Sequence, residues 1–65
     1  MLNKNQTRAV EAADQYLTRG NAGGAERTLA TAYRSASKAA QKVALLAAAR
    51  DRGIATDRAL WCGAL

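Results

Sequence analysis

Apolar residues recur at spacings of three and four along most of this chain, and the period changes at only a few places. Between Lys4 and Arg19 they fall at Ala9, Val10, Ala13, Tyr16 and Leu17, one stripe of an α-helix, while Lys4, Arg8, Glu11, Gln15 and Arg19 fall on the opposite side. Gly20 stands where a helix commonly ends in the left-handed conformation, and Asn21 is a good N-cap for the next helix. The first two helices therefore form a tight hairpin.

From Ala22 to Arg52 no glycine after Gly24 and no proline interrupts the pattern. Two readings follow. In one, a single helix of about 40 Å carries Ala25, Leu29, Ala32, Tyr33, Ala36, Ala40, Val43 and Ala47 on one face, and gathers Arg27, Arg34, Lys38, Lys42 and Arg52 on the other. In the other, Ser37 caps a third helix that packs back on the hairpin and ends at Gly53, with Ile54 folding over its last turn. The second reading closes a core within one chain and is preferred. It predicts helices over about 4–19, 22–35 and 38–52 and a short one over 57–62, begun by Thr56, in one domain over residues 1–65. The fold class is all-α, a small helical bundle. Leu17, Leu29, Tyr33 and Val43 are expected in the core, with Trp61 as a lid over it.

The run Ala13, Tyr16, Gly20, Asn21, Ala25, Leu29 and Ala32 resembles a single tetratricopeptide-type helical hairpin, over about residues 9–36. That resemblance implies two antiparallel helices packed through small residues, and a role in binding protein partners. Ala9 stands where the family usually has a large residue, Ser37 stands near its terminal proline, and there is no second copy, whereas such repeats ordinarily stack in threes or more. The chain as a whole also resembles small proteins encoded by phages and integrated elements.

Composition sharpens this picture. Of 65 residues none is proline, phenylalanine or histidine, and alanine supplies more than half of those counted as hydrophobic, so helix propensity is high and the core is thin. No apolar run reaches the length of a membrane span, and the N-terminus has no signal-like core, so a cytoplasmic location is expected. The single cysteine, Cys62, has no second cysteine for a disulfide and no histidine with which to build a zinc site; it reads as a small apolar residue, with Arg58 one turn before it.

The chemistry of catalysis is thinly represented. The carboxylates Glu11, Asp14, Glu26, Asp51 and Asp57 are scattered, each with a basic residue nearby, and read as members of exposed helical ion pairs. No catalytic, cofactor-binding or metal-ligating residue is assigned, and no small-molecule substrate suggests itself. The glycines of "GNAGGAER" lack the strand and the Lys-Ser/Thr pair of a phosphate loop. They read as a turn, with weak anion binding by the N–H groups of Ala22, Gly23 and Gly24 and by Arg27 at a helix start as the lesser reading.

The net charge of +5 allows an anionic partner or a merely solvated cationic surface. A non-enzymatic protein-interaction module, binding a partner protein or another copy of itself, is the favoured function, with Leu45 as the candidate apolar contact. The alternative is nucleic-acid binding through the candidate basic surface Arg27, Arg34, Lys38, Lys42 and Arg52. A membrane-surface helix is a weaker third option, because the face opposite the cations is mainly alanine.

Overall fold

Asn3 begins the fold. Its Oδ1 accepts the Gln6 backbone N–H at 2.9 Å and Gln6 Oε1 accepts the Asn3 N–H at 3.0 Å, a reciprocal cap that satisfies two of the donors a helix start leaves open. In the computed structural model, which describes residues 2–57 and 59–62, this cap opens α1, Lys4–Thr18. The remaining helices are α2, Ala22–Ser35; α3, Ala39–Asp51; and α4, the four residues Ala59–Cys62, where side chains are described at Leu60 and Trp61 alone. The result is a small all-α bundle in which α2 is central and packs on the other three helices.

The hairpin turn forms as the sequence predicts. Gly20 has φ of 78°, its N–H donates to Leu17 O at 2.9 Å, and the Asn21 N–H donates to Tyr16 O at 2.8 Å, the pair of bonds that closes a helix on a left-handed residue. Asn21 Oδ1 then accepts the Gly24 N–H at 2.9 Å and caps α2. A Cβ at Gly20 would meet no atom within 4 Å, so the conformation alone demands glycine. Gly20→Ala is expected to cost about 1 kcal/mol, roughly 4 to 8 °C in thermal midpoint for a domain of this size; an unchanged midpoint would show that the turn is not under this constraint. Gly24 is needed for a different reason. A Cβ there would lie 2.9 Å from Tyr16 Cδ1, so its absence lets α2 approach α1.

The end of α2 decides between the two readings of the long segment. The helix stops at Ser35, and Ala36, with φ −68° and ψ 134°, turns the chain into extended backbone. No glycine or proline compels this. Ala36 is buried, and Lys42 of α3 donates from Nζ to Tyr33 O at 2.9 Å while sitting 4.6 Å above the Tyr33 ring. The Tyr33 carbonyl, which also accepts the Ala36 N–H at 3.2 Å, thus ties the end of α2 to an α3 side chain. Folding back also keeps the longest dimension at 30 Å, shorter than one uninterrupted helix over 22–52 would be. The expected cap is corrected: Lys38, and not Ser37, is the N-cap residue of α3, and no side chain caps that helix start. At its other end α3 closes on Gly53, φ 75°, with Gly53 N–H to Arg50 O at 3.0 Å and Ile54 N–H to Ala49 O at 2.9 Å. The start of α4 is at Ala59 rather than 57, and residue 58, just before it, lies outside the described residues.

The core is built on small side chains, with Ala13, Ala25, Ala30 and Ala49 fully buried and, among the described residues, only Leu29 and Leu45 as large residues with no exposure. Ile54 and Trp61 close it, while Leu17 and Tyr33 pack half-buried against it. Trp61 meets Tyr33 edge to face at 5.6 Å between ring centroids, and so fills the role of lid expected of it. Two expectations for α3 are reversed. Val43, placed in the core from the sequence, is 64% exposed, and Leu45, the candidate apolar contact, is 0% exposed. The extended residues between α2 and α3 reset the helical phase, so Ala40, Val43 and Ala47 leave the face they would share with Leu29 on a continuous helix.

Candidate functional site

The five cations of the candidate basic surface do not act as a set. Arg27 and Arg34 are exposed on α2, and Lys38 is exposed before α3. Lys42 is committed to Tyr33 through its hydrogen bond and its place over the ring. Arg52 is committed to Asp14: Nε donates to Oδ1 at 2.5 Å and Nη2 to Oδ2 at 3.1 Å, while Nη1 donates to Ala48 O at 2.8 Å. These hydrogen bonds hold the Asp14 carboxyl below its ordinary range and raise Arg52 in turn. Both residues belong to the basic surface of the alternative, nucleic-acid reading; in the fold they tie α3 to α2 and to α1, because the break brings their sides of α3 against the hairpin.

The carboxylates also differ from the sequence reading. Asp14 pairs with a residue 38 positions away rather than with a neighbour on its own helix. Glu26, expected in an exposed ion pair, is buried, and Trp61 Nε1 donates to its Oε2 at 3.3 Å. Glu26 occupies the position after the buried Ala25 and one turn before Ala30, and that phase was the available signal for its burial. The side chain of Cys62, and Arg58 beside it, lie outside the described residues.

Two surfaces remain for partners. The first is the outward side of α3, where Ala39, Ala40, Val43 and Ala47 are exposed together. Because α3 is apolar on nearly all sides, periodicity within it did not say which side faces out. The second is an open groove of about 610 Å³ between the hairpin helices. One wall is Asn3, Asn5, Gln6 and Ala9 from the start of α1; the other is Arg27, Thr28, Thr31, Ala32 and Ser35 from α2. Among the described residues Arg27 is the one charged residue lining it, and no carboxylate does. The Gln6 amide nitrogen donates to Gln41 Oε1 at 3.1 Å and joins the groove wall to α3. At the hairpin's opposite end the Gly24 N–H already serves the Asn21 cap, which leaves the glycine turn less to offer an anion.

No helix among the described residues is long and apolar enough to cross a membrane. The chain matches no family model, no curated protein and no solved structure.

Proposed function

We propose that the chain is a non-enzymatic, cytoplasmic interaction module that associates with a second copy of itself through the outward side of α3. The observation that carries this reading is the exposure of Val43, at 64%, among exposed alanines on a helix whose other side is the core. Small side chains let two helix backbones approach closely, and a bundle with so thin a core gains from added apolar burial.

Sedimentation equilibrium over a concentration series tests this. The mass is expected to rise above the monomer value with concentration, and Val43→Asp, a surface change that leaves the fold intact, is expected to return it to the monomer. A mass that stays monomeric throughout, or association that Val43→Asp leaves unchanged, would refute the reading.

A second reading, nucleic-acid binding, is favoured by a separate observation. Arg27, Arg34 and Lys38 remain exposed after Lys42 and Arg52 are taken up internally, and Arg27 lines the hairpin groove.

A further inference from the structure

The groove between α1 and α2 sets one cation, Arg27, among neutral side chains that both donate and accept hydrogen bonds. Asn3 and Gln6 engage their side-chain oxygens with each other's backbone N–H groups. The Arg27 guanidinium and the side chains of Asn5, Thr31 and Ser35 are exposed and enter none of the hydrogen bonds found among the described residues. A guanidinium only donates, whereas an amide and a hydroxyl donate or accept. With a guanidinium and no carboxylate among the described lining residues, such a groove favours a ligand that carries negative charge.

The donors are strung out rather than focused. Arg27 and Ser35 are eight residues apart on one helix, roughly 12 Å at the helical rise, and they leave between them the small floor residues Ala9 and Ala32. A compact anion would reach one end of this line, whereas a chain with acceptors at intervals reaches all of it. Lys4, Arg8 and Arg34 are exposed elsewhere on the same two helices and are not part of the lining. No aromatic side chain among the described residues lines the groove, so a strand held there is held by its backbone rather than by base stacking.

We infer that the α1–α2 groove binds the sugar–phosphate backbone of a single-stranded nucleic acid, with Arg27 as the charge partner and Asn5, Thr31 and Ser35 as hydrogen-bonding groups along the strand. The inference rests on the second reading above and makes it specific. It requires binding that is independent of base sequence and steep in salt, because each phosphate neutralised releases counterions.

The test is fluorescence anisotropy with a labelled mixed-sequence DNA 12-mer at several salt concentrations, circular dichroism confirming that each variant is folded. Arg27→Glu is compared with Arg50→Glu, an equal charge change at an exposed site on α3 outside the groove. Arg27→Glu is expected to weaken binding by roughly tenfold or more, and Arg27→Ala to lower the slope of log affinity against log salt by about 0.7. Ser35→Glu, which puts a carboxylate at the other end of the groove, is expected to act like Arg27→Glu, and Arg50→Glu to have the smaller effect.

If the 12-mer binds but Arg27→Glu and Arg50→Glu weaken it equally, nucleic-acid binding stands and the groove assignment falls. If nothing binds even at low salt, both fall. Inorganic phosphate or poly-glutamate competing as well as unlabelled DNA, compared at equal charge concentration, would overturn the assignment to a sugar–phosphate strand.

Discussion

Leu45→Ala is expected to lower the unfolding free energy by about 2 to 5 kcal/mol, whereas Val43→Ala, two residues earlier, should change it by less than about 0.5 kcal/mol. Leu45 has no exposure and is one of only two large side chains so placed, while Val43 is 64% exposed. Truncating Leu45 removes apolar contact and leaves a void that an alanine-lined core has few large side chains to fill. A domain of this length holds about 3 to 10 kcal/mol of stability in all, so the variant should lose a large share of it, seen as a clearly lowered midpoint in urea titration followed with circular dichroism. Equal effects at the two positions, or a large loss at Val43 alone, would mean that α3 is turned the other way and that the proposed interface is core.

Trp61→Ala is expected to be as damaging, at about 3 to 5 kcal/mol, although it lies close to the end of the chain. The indole is 2% exposed, stands edge to face with Tyr33, and donates to the buried Glu26. Removing it uncovers the Tyr33 ring and withdraws an N–H that the buried Glu26 accepts. Trp61→Phe should lie between, because a smaller ring keeps the aromatic contact with Tyr33 and loses the N–H. The comparison is read from denaturant midpoints of the three proteins. A Trp61→Ala variant as stable as the parent would show that the C-terminal turn does not close the core.

The hairpin was legible for local reasons. On α1 the predicted polar residues Lys4, Arg8, Glu11, Gln15 and Arg19 are all exposed, and the predicted apolar ones are buried or half-buried. That helix carries strong contrast between its sides, and it ends at a glycine whose positive φ leaves little choice. The candidate site was legible only in part. Arg27, Arg34 and Lys38 are exposed as expected, but Lys42 and Arg52 serve the fold, and neither commitment leaves a local mark because each partner sits on another helix.

Residue type and spacing alone therefore specify that the chain is helical, where α1 ends and α2 begins, and the apolar stripe of each of these two helices, but not the burial of Gln6 and Glu26 beside it. Those properties depend on interactions within a few residues: propensity, capping, and a stripe repeated every three or four positions. Helix packing settles the rest. It breaks the chain at Ala36 without glycine or proline, turns Leu45 inward and Val43 outward, and draws Glu26, Lys42 and Arg52 into contacts with other elements. An alanine-rich helix such as α3 is nearly the same on every side, so its orientation follows from which of its few large residues can close the core left by the hairpin, and that is a property of the assembled bundle.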